Sequence, residues 1–400
     1  MSRMRLREII GKPLTGEWGN EDLTGTGVPV LRTTNFTNDG IISFDNVVTR
    51  DISPNRLNDK WLKHGDIIIE KSGGSDRQPV GRVVYYVGEN NTYTFNNFTS
   101  ALRVQDQSHW NPKFVFYALF YNYAIGGTRK YENKTTGLHN LKLNLFVDKF
   151  AINWISVSEQ NRIVAVIDAI THLISLRQRQ AEKLDELVKA RFVEMFGDPV
   201  LNCLHTAARP MTEICQIIDG DRGKNYPKAD DFFDKGDCLF LNAKNVTKAG
   251  FNFDECMFIT KDKDNVLRKG KLQRGDIILT TRGTIGNLAF YTDDVPYSDI
   301  RINSGMVILR MNREYINPIY FIEQFKMQLE NIKRKIASGT AQPQLPISTM
   351  NKIKVIIPDI RLQANFANFV HEVDREKERI QRSAVLLETL KRSLMQQYFG

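Results

Sequence analysis

This chain states its plan twice. Leu31–Gly40 reads LRTTNFTNDG and Leu241–Gly250 reads LNAKNVTKAG, a shift of 210 residues (31 to 241). The same shift carries Gly65-Asp66-Ile67-Ile68-Ile69 onto Gly275-Asp276-Ile277-Ile278-Leu279. Further on, small insertions alter the offset but keep the order. Gly81 answers to Gly286, Asn111-Pro112 to Asn317-Pro318, Leu141 to Leu345, and Phe196-Gly197 to Phe399-Gly400. A repeat unit this long is a domain, not a solenoid element of ~20–50 residues. Two diverged copies imply pseudo-two-fold symmetry and two related but non-identical binding surfaces, and 400 residues suffice for two cores.

Each copy opens with a mixed globular region and closes with a long, charged helix. In the globular regions short apolar runs alternate with Gly, Asn and Asp punctuation, as strands and turns do. His64-Gly65-Asp66 and Arg274-Gly275-Asp276 feed the strands Ile67–Ile69 and Ile277–Leu279; Val80–Val87 and Gly286–Tyr291 read as the next strands. Asn111-Pro112 and Asn317-Pro318 are helix starts, Asn capping and Pro in the first turn. Helices follow over Phe114–Tyr123 and Ile319–Ile332. In Glu159–Phe196 apolar residues recur at steps of four and three: Ile163, Ile167, Ile170 and Ile174, then Ala181, Leu184 and Val188, with Arg177 interrupting. Gln363–Phe399 carries Phe366, Val370, Val373, Ile380, Ala384, Leu387, Leu390 and Leu394 at similar spacing. That is a coiled-coil seam. Each helix spans ~35 residues, or roughly 50 Å at ~1.5 Å per residue. So polar a helix needs a partner stripe, and the repeat supplies one. Chain order makes the pair antiparallel, a strut between two domains.

The fold class expected is α+β: two repeated α/β domains joined by two long helices in an antiparallel coiled coil. The expected segments are 1–156 and 199–360 for the globular domains, and 157–198 and 361–400 for the helices.

The formal charge of +9 permits an anionic partner without demanding one. MSRMRLREII has no long apolar run behind its arginines, so neither signal peptide nor membrane anchor is expected. Cys203, Cys215, Cys238 and Cys256 show no CxxC spacing, so no zinc site or disulfide framework is expected, and the compartment expected is the reducing cytoplasm. No GxxxxGK[ST] loop and no HExxH pair is present, and catalytic and metal sites are expected to be absent. Gly25-Thr26-Gly27 and Gly283-Thr284-Ile285-Gly286 read as turns. Asn317-Pro318-Ile319-Tyr320 is superficially similar to the Asn-Pro-Pro-Tyr element of amino-group DNA methyltransferases. It lacks the second proline and sits where the repeat requires a helix cap. Asp66 and Asp276 read as turn-shaping residues before buried strands rather than paired acids.

What remains on the loops is basic and amide-rich. In the first copy these residues are Lys71, Ser72, Arg77 and Gln78, then Arg129, Lys130, Tyr131, Asn133, Lys134, His139 and Asn140. In the second they are Arg222, Lys224, Asn225 and Tyr226, Lys244 and Asn245, Arg282 and Thr284, and Ser338, Thr340, Gln342 and Gln344. Arg and Lys suit phosphates and guanine edges, and Asn and Gln suit adenine edges. Taken singly such residues are ordinary solvated loops; their recurrence in both copies makes them candidate DNA contacts.

The chain resembles the specificity subunit of type I restriction–modification systems along essentially its whole length. The residues that carry the resemblance are Ser158-Glu159-Gln160-Asn161-Arg162-Ile163-Val164 at the entry to the first long helix and Phe196-Gly197-Asp198-Pro199 at its exit. Phe399-Gly400, Leu241–Val246 and Gly339–Gln342 add to it. The resemblance implies two target-recognition domains, each reading half of an asymmetric, interrupted DNA target, and helices that set the gap. It implies a subunit that catalyses nothing and binds no cofactor itself. S-adenosylmethionine, ATP and Mg belong to partners: two modification (methyltransferase) subunits and, in the full complex, restriction/translocase subunits. Half-sites on one face of B-DNA lie ~34 Å apart, within reach of a strut that crosses obliquely. The runner-up expectation is a non-catalytic protein scaffold with two adaptor domains on a coiled coil.

Overall fold

The computed structural model describes residues 3–135, 138–337 and 344–400. The chain divides into two compact units, Met1–Gln178 with Arg382–Gly400, and Arg179–Gln381. The two long helices, Val157–Phe196 and Ile360–Phe399, are 40 residues each, a turn longer than the seam implies. Each unit takes one half of each helix, so the units cut across a division of the chain into globular and helical segments.

Unit 1 is built in three layers. Its first sheet runs in spatial order Leu14–Thr15, Thr99–Leu102, Ile67–Glu70, Val83–Tyr85, antiparallel throughout. Every residue of Ile67–Glu70 is buried, because side chains alternate along a strand and both faces are covered. Ile67 and Ile69 pack with Phe114, Val115 and Leu119 of the helix Pro112–Ala124. Ile68 points the other way, into a cluster with Leu31, Phe95, Val84 and Tyr86. Leu31 and Phe95 come from a second sheet, in which Val28–Leu31 and Thr94–Phe95 run parallel.

Unit 2 repeats the design. Its first sheet is Cys215–Asp219, Met306–Met311, Ile277–Thr280, Leu288–Phe290. Ile277 and Leu279 face Tyr320, Phe321 and Phe325 of the helix Pro318–Ala337, and Ile278 faces Leu239, Leu241 and Ile302. Cys238–Leu241 and Ile300–Ile302 form the matching parallel pair.

The repeat extends to individual hydrogen bonds. Asn111 Oδ1 accepts from the N–H groups of Lys113 and Phe114, and Asn317 Oδ1 from those of Ile319 and Tyr320. Asn317 is therefore the helix cap that the repeat requires. Asp66 receives a two-pronged contact from Arg103 (2.7 and 2.7 Å), as Asp276 does from Arg310 (2.9 and 2.8 Å). Each aspartate also accepts the N–H three residues back, Lys63 or Gln273. These bonds close turns in which Gly65 (φ 92°) and Gly275 (φ 89°) adopt a backbone that L side chains rarely take.

The long helices pair within each unit. In unit 1 Ile163, Val164 and Ile167 share a core with Met395, and the rings of Phe114 and Phe399 lie 5.1 Å apart. In unit 2 Val188, Phe192 and Phe196 pack with Phe366, Val370 and Val373, and Lys377 pairs with Asp185 at 2.5 Å. The beginning of one helix thus meets the end of the other, which is antiparallel pairing. Ile170, Ile174 and Ile380 are buried too. Between these buried positions the seam loosens: Arg177, Ala181, Leu184, Leu387 and Leu394 are half-buried and Leu390 is exposed. Small or charged side chains at Arg177, Ala181, Lys377 and Ala384 cannot fill it as Phe and Ile do.

Where each long helix joins its domain stands a fully buried glutamine. Gln160 accepts from the Asn111 N–H (2.8 Å) and donates to the carbonyls of His109 (3.0 Å) and Ile155 (2.9 Å). Gln363 accepts from the Asn317 N–H (2.9 Å) and donates to those of Tyr315 (3.0 Å) and Pro358 (2.9 Å). Truncation strands three buried backbone groups at once, and unmade buried bonds cost more than made ones contribute. Gln160→Ala should therefore destabilise unit 1, and Gln363→Ala unit 2, by about 2–4 kcal/mol. Calorimetry of each variant checks this; a loss below about 0.5 kcal/mol would contradict it.

Candidate nucleic-acid interface

In both units the middle strand of the first sheet ends at a polar residue, Glu70 or Thr280, and the chain then leaves the sheet. The next carbonyl is captured at once: Lys71 C=O accepts from Leu141 N–H (2.8 Å) and Thr281 C=O from Leu345 N–H (3.0 Å). This tie sets the loop after the strand against the segment that returns to the long helix.

In unit 1 the two segments build a three-stranded sheet in the order Glu132–Thr135, Leu138–Leu141, Ser72–Gly74. Its register aligns Asn133 with Asn140 and Asn140 with Ser72, a polar row on one face. Arg129 donates to the Asp76 carbonyl (3.1 Å) and Gln78 Nε2 to the Tyr123 hydroxyl (3.2 Å), so the 75–78 loop is held beside that row. Burial pushes the Lys71 amine below its usual range and raises the Tyr123 hydroxyl above its own, while burial also raises the Glu70 carboxyl against the opposing pull of Arg82. Arg77 and Lys130 are exposed, the latter over the Tyr131 ring. Lys71, Ser72, Arg77, Gln78, Arg129, Lys130, Asn133 and Asn140 thus share one edge of the unit. Lys134 lies opposite His139 in the same sheet.

Two residues of that set face inward. Tyr131 is a core residue, packed on Phe146 at 5.3 Å. His139 is buried, with Nδ1 2.9 Å from Glu132 Oε2 and Nε2 3.6 Å from Asp76. Both support the edge instead of facing a ligand.

In unit 2 the same tie brings Arg282 and Gln344 into a β-bridge. Arg222 reaches over from the end of the first strand, donating to Asp219 (3.2 Å) and the Ser304 carbonyl (3.3 Å). These three residues, with Asp219, Thr281 and Leu345, line a cleft of ≈ 200 Å³. Asp221 anchors the loop that carries Arg222. Burial favours its neutral form, but the N–H groups of Arg268, Lys269 and Arg222 outweigh burial and hold the carboxyl below its ordinary range. Lys224 is exposed on that loop. Asn225 donates to the Val266 carbonyl (3.3 Å), and Tyr226 stacks edge-on against Phe240. Thr284 is exposed, while its carbonyl accepts from the Thr280 hydroxyl.

Lys244 and Asn245 lie elsewhere, on the turn that leaves the second sheet. Lys244 forms an exposed pair with Glu255 (2.6 Å). Asn245 is fully buried, accepting from Asn242 N–H and donating to the carbonyls of Asn252 and Glu255. Asn35 makes the same three contacts in unit 1, to Arg32, Ser43 and Asp45. Asn245 is thus a fold residue, a correction to its reading as a DNA contact. Ser338, Thr340 and Gln342 lie outside the described residues. Asp219 is the cleft residue that loop chemistry passes over; its only signal is its place three residues before an Arg.

Among the described residues no group of three His, Cys, Asp or Glu is placed to hold a metal ion, and no helix is long and apolar enough to cross a membrane.

A family model for the type I restriction modification DNA specificity domain matches residues 207–388. The type I restriction enzyme MjaVIII specificity subunit of Methanocaldococcus jannaschii is 23% identical over 290 residues, 66% of this chain. The match spans 66% of that protein, just under two thirds of its length. Two solved structures resemble the whole chain. One is the S subunit of a type I restriction–modification system from M. genitalium, 16% identical, TM-score 0.54 over 96% of its length. The other comes from work on complex assembly and conformational transition of the type I R-M system, 14% identical, TM-score 0.59 over 97% of its length. At such identities the likeness is one of fold.

Asp221 supplies a pH test of the cleft. Its lowered carboxyl stabilises the folded loop fully above the unfolded value near 4 and loses that effect as pH falls through the folded value. Asp221→Asn should cost unit 2 about 2–4 kcal/mol at pH 7, from charge-assisted bonds to three N–H groups. The gap from the parent should close as pH drops well below 4. Urea titrations at pH 7 and pH 3 check it; a pH-independent gap contradicts it.

Proposed function

We propose, on the premise that this chain belongs to the type I restriction–modification specificity family, that it is the DNA-reading subunit of such a complex. Each unit reads one half of a bipartite, asymmetric target, and the paired long helices fix the gap. The observation that carries this reading is the contrast within the repeat. Hydrogen bonds that build the two units match almost atom for atom, while the edges made by Lys71–Gln78 with Asn133 and Asn140, and by Arg222, Arg282 and Gln344, differ in side chain. Equal frames with unequal polar edges suit two different half-sites.

In this reading the chain catalyses nothing. S-adenosylmethionine, ATP and Mg are held by partners: two methyltransferase subunits and, in the full complex, restriction/translocase subunits, all in the cytoplasm where the DNA is. The outer faces of the long helices support partner docking. Leu173, Leu176, Leu187 and Val193 on the first and Val385, Leu386 and Leu390 on the second are exposed apolar residues, and such patches mark interaction sites.

Two outcomes are expected. DNA affinity should fall steeply with salt, since phosphate contacts release counterions; salt-insensitive or absent binding favours a protein scaffold. Removing one heptad from each long helix, at Gln178 and at Gln381, shortens the rod by about 10 Å at ~1.5 Å per residue. That equals about three base pairs at ~3.4 Å, so the gap should narrow accordingly with both half-sites unchanged. Binding to duplexes of randomised gap length reads this out, and altered half-sites at constant spacing would sink the strut model.

A further inference from the structure

We propose that Arg282 reads a guanine in the half-site of unit 2, a contact with no counterpart in unit 1; this rests on the DNA-reading function above. The backbone tie makes the two edges comparable residue by residue. Ser72 and Asn140 follow and precede the tied pair Lys71 and Leu141, and are themselves paired in the sheet. Arg282 and Gln344 follow and precede the tied pair Thr281 and Leu345, and are themselves bridged. The same two places therefore hold Ser and Asn in one unit and Arg and Gln in the other.

Arg282 is built as a reader: its main chain is fixed and its head is available. Its N–H donates to the Gly305 carbonyl (3.2 Å), and Thr281 beside it binds that carbonyl through both N–H (2.8 Å) and hydroxyl (3.0 Å). The side chain is exposed, and among the described residues no hydrogen bond or ion pair occupies its guanidinium. Arg222, on the same cleft, differs: Asp219 and the Ser304 carbonyl already hold it. Among the described residues, the one carboxylate lining the cleft is thus committed to Arg222, and Gln344, next to Arg282, is neutral. A planar fork with free donors matches the O6 and N7 acceptors of guanine in the major groove, the commonest specific contact to DNA. Neither Ser72 nor Asn140 has that fork.

The test uses the full chain and a library of randomised DNA duplexes, with bound sequences read by deep sequencing. The parent chain should select an interrupted two-part motif with a G·C pair in one half. Arg282→Ala should lose preference at that single pair by about 10- to 100-fold, leaving other positions and the other half-site as they were. Arg282→Lys should keep overall affinity yet weaken the same preference, because a point charge lacks the planar fork. An unchanged thermal melt for both variants excludes misfolding. If Arg282→Ala weakens binding to all sequences equally, Arg282 is a phosphate contact and the proposal fails. It fails as well if no preference changes, or if preferences change in both halves. If the parent chain selects no motif at all, the DNA-reading function falls too.

Discussion

A buried amide at the root of each long helix is the contact on which the rest depends. Gln160 and Gln363 each bind an N–H at the start of a domain helix and two carbonyls of the flanking chain. An amide has both acceptor and donors, so one side chain satisfies three backbone groups from two separate segments in a place water does not reach. A hydrophobic contact at the same spot tolerates sliding; a fully satisfied hydrogen-bond set does not. The angle at which each helix leaves its domain is thereby fixed, which the proposed spacing role of the helices requires.

Around that root the two units spend their sequence differently. Positions that close turns, cap helices or cross-link Asp66 to Arg103 and Asp276 to Arg310 keep their chemistry across the repeat. Positions on the edge beyond Lys71 and Thr281 do not. The backbone frame there is held by carbonyl ties that are indifferent to side chain, so Ser can face Asn in one unit and Arg can face Gln in the other without cost to the fold. Stability thus rests on residues other than those of the proposed reading edges, which lets the edges diverge while the frame stays.

Much of this was legible in the chain itself. The alternation of Ile67, Ile68 and Ile69, the Asn-Pro caps and the apolar seam follow from local periodicity, and the α+β repeat with paired helices stands in the structure. Local reading failed where a polar side chain finds its partners at a distance. Asn245 looks like a loop amide until the carbonyls of Asn252 and Glu255 close over it. His139 looks like a groove residue until Glu132 folds back across the hairpin. In sequence, an amide that meets water and one that meets backbone carbonyls are the same letter. The loosened stretches of the seam were half legible, since Arg177 announced one, but the burial of Phe192 and Met395 in place of Leu390 depends on domain packing that heptad counting does not contain.

The most direct measurement is a map of methylated adenines across the genome of the source cell, made with this chain's coding sequence present and then deleted. The account predicts the loss of one interrupted, two-part adenine motif and no change at any other. An unchanged map, with the proposed methyltransferase partners expressed, would contradict it.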